Sequence, residues 1–264
     1  MTSDARRDLE AAVAELLQRV TALETELREL RDNEGDHTTA GGRFAAMYDD
    51  FTDHFRGTRA EVTAKLAGYL PDVQRVVGSH GVVDVGAGRG EWLTLLREAG
   101  VPASGVDSSP TFVAAGRAAG LEIELGDAVA YLARLPADSV DMVTAFHVIE
   151  HLDIDELLAL LEAARRVLRP GGCVLVETPN PANLVMAACD FYNDPTHRAP
   201  LPSALTAYLV TTQGFDDIEV RPLHRKVPGY EGSGNGDAHP LLTTVSELLF
   251  GPQDYAVLGY KLGH

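Results

Sequence analysis

From Ser79 onward, short and mostly apolar runs alternate with stretches of helical periodicity, and this alternation constrains the fold more than any other feature of the chain. The runs Gly81–Val85, Ala103–Asp107, Glu122–Glu124, Val140–Ala145 and Cys173–Glu177 are too short for helices and are read as buried strands. Helices are expected between them at Glu91–Ala99, Thr111–Ala119 and Ile154–Leu168. Ile218–Arg221 and Asp254–Lys261 read as a closing antiparallel pair, which brings the expected sheet to seven strands. The fold class is therefore α/β: a Rossmann-like, mostly parallel sheet with helices on both faces. Ligands on such sheets lie at the carboxyl ends of the strands, so functional residues should follow each strand directly.

The first strand runs into Gly86-Ala87-Gly88-Arg89-Gly90-Glu91-Trp92. Glycines at 86, 88 and 90 let the backbone turn sharply and approach a ligand, and the next helix points its partly positive amino terminus at it. The G-x-G-x-G spacing lacks one element of the pyrophosphate-binding pattern. Asp107 ends the second strand, 21 residues after Gly86, where a carboxylate can accept both hydroxyls of a ribose. Asp127 and Ala128 follow the third strand, where an Asp can accept from an adenine amino group. The set describes a site for adenosine with a small uncharged or cationic tail, which is S-adenosylmethionine. Ala87, Trp92 and Phe146 complete the expected contacts. Any one of these acids taken alone reads equally well as a helix cap.

Segment Val82–Trp92 with Asp107 and Asp127-Ala128 resembles the class I S-adenosylmethionine-dependent methyltransferases. Further segments, Phe55–Arg59, Phe146–Leu152, Glu177–Asn183, Phe191–Arg198 and Leu249–Tyr255, resemble a glycan-methylating branch. That branch includes the methylmannose polysaccharide 1-O-methyltransferase and the methyltransferase domain of O-antigen chain terminators. The likeness covers about residues 44–262 and implies a saccharide substrate; the alternatives are a small-molecule (phenol or natural-product) O-methyltransferase and a cofactor-binding scaffold without turnover. It also implies that the element carrying Tyr48, Phe51, Phe55, Arg56 and Arg59 closes over the cofactor, with Arg56 or Arg59 taking the methionine carboxylate.

A sugar hydroxyl is a poor acid and needs a base, an acidifying metal, or both. His147 and His151 follow the fourth strand, beside the expected sulfonium, and are read as candidate bases. His147, Glu150 and His151 stand at i, i+3 and i+4, and so share a face if the turn is helical. With Asp194 and His197 from the loop after the fifth strand, Glu150 and His151 form a ligand set for Mg²⁺ or Mn²⁺. This pattern is similar to the Glu-x-x-Glu-His cluster of metal-dependent small-RNA 2′-O-methyltransferases, with His147 replacing the first Glu. Tyr192, Asn193, His197, Arg198 and Tyr230 are expected to line the sugar pocket, and Gly229–Gly236 is a glycine-rich loop able to act as a lid. His224 and His239 have no assigned role.

Ahead of this domain, Leu9, Val13, Leu16, Val20, Leu23, Leu27 and Leu30 alternate steps of four and three, a heptad seam. Valine dominates one core position and leucine the other, which favours a two-stranded parallel coiled coil and hence a homodimer. The alternative is a single amphipathic helix packed on its own domain. The expected division is a coiled-coil helix over 1–33, a linker over 34–42 and the methyltransferase domain over 43–264. No apolar run approaches the roughly 18 residues of a membrane span. The charged first residues do not form a secretory leader, so the cytoplasm is the expected compartment. A formal charge of −17 repels phosphate backbones and opposes nucleic acid as a partner.

Overall fold

The computed structural model describes residue 51, residues 55–226 and residues 239–263. The heptad segment 1–33, the linker 34–42, Tyr48 and the loop Gly229–Gly236 with Tyr230 lie outside the described residues. The chain divides into two compact units, Met1–Gly57 and Thr58–His264, and the fold is that of the second. Among the described residues no helix is long and apolar enough to cross a membrane.

Helices α1 (Arg59–Leu66) and α2 (Leu70–Val76) precede β1 (Val82–Val85). Then follow α3 (Glu91–Glu98), β2 (Ala103–Asp107), α4 (Pro110–Ala118), β3 (Ile123–Leu125), α5 (Ala128–Arg134) and β4 (Val140–Phe146). A single turn at Ile149–His151 leads to α6 (Ile154–Val167) and β5 (Leu168–Pro179). The chain continues through α7 (Leu184–Ala188), a turn at Asp190–Asn193, α8 (Ser203–Thr212), β6 (Asp216–Arg225), α9 (His239–Phe250) and β7 (Pro252–Tyr260). Start signals in the sequence account for several helix boundaries. Thr58 and Glu61 form a capping box for α1, as Asp153 and Glu156 do for α6. Ser109 caps α4, which opens on Pro110.

The sheet has seven strands in the order β3-β2-β1-β4-β5-β7-β6, parallel from β3 through β5, with β7 antiparallel to both of its neighbours. The expected closing antiparallel pair is present, with β7 inserted between β5 and β6. Side chains alternate across the sheet, as the two-residue period of a strand requires. Val83, Val85, Val143, Ala145, Val174, Val176 and Val257 join the core under α5, α6 and α8. Val82, Met142, Phe146, Cys173, Leu175, Ala256 and Leu258 face the core formed with Tyr69, Val73, Trp92 and Leu96.

Strand β5 begins five residues earlier than Cys173 because it carries an irregular stretch: Leu168 pairs with Val140, and pairing resumes only at Cys173 opposite Met142. A Cβ on Gly172 would meet the Arg169 carbonyl at 2.8 Å and the Asp141 carbonyl at 2.9 Å, so this bulge needs glycine. Asp141, fully buried in β4, ties the region together. One of its oxygens accepts the backbone N–H groups of Gly78, His80 and Gly81 at 2.9, 2.8 and 2.8 Å, and the other pairs with Arg169. Burial pushes this carboxyl up, but Arg169 and the three N–H groups outweigh it and hold the pKa below the ordinary Asp value.

A depressed carboxyl stabilises the fold above the unfolded-state pKa and loses that contribution as pH falls through the folded value. Asp141→Asn should therefore destabilise the protein by about 2 kcal/mol at neutral pH and flatten the loss of stability below roughly pH 4. Urea unfolding of both proteins between pH 3 and pH 7 checks this. Equal stability at pH 7 would remove the anchoring role.

Candidate active site

The loop after β1 turns through three left-handed glycines, Gly86, Gly88 and Gly90, at φ 68°, 53° and 79°. A Cβ on Gly86 would lie 2.4 Å from Val148 Cγ2, so that position needs glycine for space as well as for conformation. Asp107 at the end of β2 holds the loop from the far side: Oδ2 accepts the Gly88 N–H at 2.7 Å and Oδ1 the Ser109 N–H at 2.7 Å. Each carboxylate oxygen keeps a second lone pair for a ribose hydroxyl. Arg59 Nη1 donates to the Arg89 carbonyl at 2.8 Å and so is fastened to the same loop. Asp127 caps α5 by accepting the Ala130 N–H at 2.8 Å, and Ala128 opens that helix. A glycine cradle, a helix amino terminus and an acid at the end of the adjoining strand together fit the adenosyl and methionine portions of S-adenosylmethionine.

Trp92 and Phe146 are wall rather than surface. Trp92 is 2% exposed and packs edge-on against Phe146 and Tyr69, so contact with a cofactor would require it to leave the core. Arg56 belongs to the first unit and is exposed. In the same unit the Phe51 and Phe55 rings stack at 4.7 Å.

Beyond β4 the chain reverses through His147, held at φ 56° with its N–H donated to the Glu177 carbonyl at 2.8 Å. Three buried carboxylates surround its ring. Nδ1 is 3.3 Å from Glu150, and Nε2 is 3.5 Å from Glu177 and 3.9 Å from Asp254. Glu177 and Asp254 continue the inward rows Cys173-Leu175 and Leu258-Ala256, and Tyr69 donates its hydroxyl to Glu177. Burial pushes the His147 imidazole down, but Glu150, Glu177 and Asp254 outweigh it and raise the pKa to about 10. His147 thus keeps its proton at neutral pH with both nitrogens engaged.

The neighbouring turn assembles a different constellation. Ligand atoms of Glu150, His151 and His197 lie within 4.8 Å of one another. His197 Nδ1 is 2.6 Å from the Phe191 carbonyl, which can only accept, so Nδ1 donates there and Nε2 faces Glu150 at 3.9 Å. Thr196 donates to Asp194 at 2.5 Å and therefore accepts from His151 Nδ1 at 2.9 Å, which leaves the His151 lone pair on Nε2. Burial pushes the His151 pKa down, Glu150 opposes this and His197 adds to it, with a net lowering that keeps the ring neutral. Glu150 stays ionised because His147 outweighs its burial, and its Oε1 lies between His147 Nδ1 at 3.3 Å and His197 Nε2 at 3.9 Å. Asp194 is 4.0 Å from His197 and is otherwise occupied by Thr196, so it borders this group without joining it.

Arg198, expected at the substrate, instead pairs with Asp153 at 3.0 Å and Glu156 at 3.1 Å, the capping box of α6. Tyr192 and Asn193 are exposed on the turn at Asp190–Asn193, with the Tyr192 ring edge-on to Phe191. Glu177, Asp254, Tyr69 and His224 were not anticipated. Their only signal is the sheet register, which sets Asp254 opposite Pro179 in β5 and opposite Leu223 in β6.

A family model described as a methyltransferase domain matches residues 7–219. A probable S-adenosylmethionine-dependent methyltransferase of Mycolicibacterium smegmatis (strain ATCC 700084 / mc(2)155) is 34% identical over 135 residues, 51% of this chain and 51% of that protein. The chain thus spans about half the length of that relative. A crystal structure of a SAM-dependent methyltransferase from Archaeoglobus fulgidus superposes with a TM-score of 0.72 at 30% identity, over 81% of this chain and 99% of the other. Phosphoethanolamine N-methyltransferase 2 of Haemonchus contortus, in complex with S-adenosyl-L-methionine, shares the fold alone, with a TM-score of 0.53 at 17% identity over 81% of this chain and 60% of that one. With the glycine cradle and Asp107 in place, the chain belongs to the class I S-adenosylmethionine-dependent methyltransferases.

Proposed function

We propose that this methyltransferase moves its methyl group to a hydroxyl oxygen of a mannose-type sugar or oligosaccharide, with a divalent metal at Glu150, His151 and His197. The observation that carries this reading is the group Glu150, His151 and His197, whose ligand atoms lie within 4.8 Å of one another while both imidazoles are tied through Nδ1 to outer partners. Val148, the residue after His147, abuts Gly86, which sets this turn beside the cofactor loop. The sulfonium of the cofactor is already a good leaving group, so the protein's work lies in aligning the acceptor and freeing its oxygen. A divalent ion at the triad would acidify a coordinated hydroxyl and orient it. Both imidazoles are locked through Nδ1 by outer partners, the arrangement that fixes metal-binding histidines. Two nitrogens to one carboxylate favour a first-row ion such as Mn²⁺ over Mg²⁺, which prefers oxygen donors. The glycan resemblance supports the sugar acceptor, with Tyr192 offering a 64% exposed ring for stacking. The heptad seam over 1–33 supports a parallel homodimer.

Incubation with labelled S-adenosylmethionine and a panel of manno-oligosaccharides should label a sugar. Label on phenols alone would replace the saccharide reading with that of a small-molecule O-methyltransferase. Mn²⁺ at about 100 times its Kd should raise the Tm by on the order of 5 °C. Glu150→Gln and His197→Gln should remove that shift, and an equal shift in the variants would overturn the triad. Removal of residues 1–33 should leave a monomer by light scattering that still binds S-adenosylhomocysteine. A dimer that persists would move the interface to the catalytic domain.

A further inference from the structure

At the end of β6, His224 is held at φ 54°, one of four non-glycine residues among those described with a left-handed backbone. His147 is another, and both rings face Glu177, at 3.5 Å and 3.7 Å. The two histidines differ in their second nitrogen. His147 is engaged on both sides, whereas His224 places Nδ1 2.8 Å from Asp254 Oδ2 and has no partner for Nε2 among the described residues. Asp254 is buried and ionised: burial pushes its pKa up, and His224 and His147 outweigh that. An ionised carboxylate only accepts, so Nδ1 donates to Asp254 and Nε2 is the nitrogen left open. A buried acid that fixes the tautomer of a half-buried imidazole whose other nitrogen is open is the arrangement of an oriented base.

The position fits that role. β6 runs parallel to β5, so His224 reaches the same carboxyl edge as Glu177, and Asp254 stands in register with Pro179, the last residue of β5. Its side chain is 17% exposed, enough for an acceptor to reach. Left-handed backbone at a histidine costs on the order of 1 kcal/mol and persists only where its surroundings hold it, here through Asp254 and Glu177.

We propose that His224, oriented by Asp254, is the base that takes the proton from the acceptor hydroxyl. The O–H proton passes to Nε2, and the oxygen lone pair forms the new O–CH3 bond. The S–CH3 bond breaks with its electron pair on sulfur, giving S-adenosylhomocysteine, and the imidazolium then releases its proton to solvent. Asp254 is a positioning residue that acts through His224. This assignment rests on the oxygen-transfer reading of the same edge but not on the identity of the acceptor.

His224→Asn, a residue that tolerates left-handed backbone, should lower kcat by about 10²–10³-fold while S-adenosylhomocysteine binding stays within about twofold. In His224→Gly, which keeps the φ angle and opens space for a small ring, added imidazole should restore activity at least about tenfold. Asp254→Asn should lower kcat with little change in KM. The acceptor is whichever of the manno-oligosaccharides or phenols the wild type methylates, so transfer to phenol alone ends the saccharide reading and leaves this test intact. A kcat for His224→Asn within about threefold of wild type overturns the proposal. If the variants do not fold, or if the wild type methylates neither panel, diethyl pyrocarbonate labelling of the wild type decides, read by mass spectrometry. His224 should be carbethoxylated and His147 spared; labelling of His147 with His224 inert overturns the assignment.

Discussion

Burial of three carboxylates at one edge of a sheet is the constraint on which the rest of this site depends. Glu150, Glu177 and Asp254 are 0%, 3% and 4% exposed, and an isolated buried carboxylate costs several kcal/mol unless it is paired. Every notable feature nearby answers that cost. His147 adopts a left-handed backbone so that one protonated ring can face all three acids. Thr178 donates to Glu150 at 2.8 Å, Tyr69 to Glu177 and His224 to Asp254. Each donor offsets part of the cost of a buried charge, so the members of the cluster are coupled.

The four imidazoles at this edge show how environment sets role within one residue type. His147, ringed by acids, is held protonated, whereas for half-buried His151 desolvation and the neighbouring His197 outweigh Glu150 and Asp194 and push it toward neutrality. His151 and His197 each spend Nδ1 on an outer partner, and His224 spends Nδ1 on Asp254. In three rings Nε2 is thereby the nitrogen left open, whereas both nitrogens of His147 face acids. Divergence of titrating groups by their surroundings is the usual origin of distinct acid, base and ligand roles.

Much of this was legible in the sequence, because strand–helix alternation and the glycine turn are local signals. Ala103–Asp107 was read residue for residue, and the Glu150, His151 and His197 group follows from two segments that the topology must bring to the same edge. What was not legible depended on long-range register. Asp254 reads as one more residue of an apolar strand until pairing sets it beside Pro179 and Leu223. Trp92 follows the glycine loop like a ligand contact, yet the helical period of α3 turns it into the core. Arg198 looked like a substrate residue because nothing local announces that Asp153 and Glu156 lie within reach. The bulge at the start of β5 hid behind Pro170-Gly171-Gly172, a run that reads as a turn.

The same register argument divides the residues along this edge into two groups. The glycine loop, Asp107 and Asp127 stand at the ends of β1, β2 and β3. The acids and imidazoles come from the ends of β4, β5, β7 and β6 and from the loop at Asp194–His197. The two groups meet where Val148 abuts Gly86. In β7, side chains alternate between faces, so a slip of one residue would replace Asp254 on the inner row by Gln253 or Tyr255 and expel the acid that orients His224. Tyr255 resists that slip. It is 1% exposed in the core under α6 and α8, and its hydroxyl bonds Thr206 at 2.6 Å and the Leu201 carbonyl at 2.9 Å. The packing of one face of β7 thus holds the chemistry carried by the other.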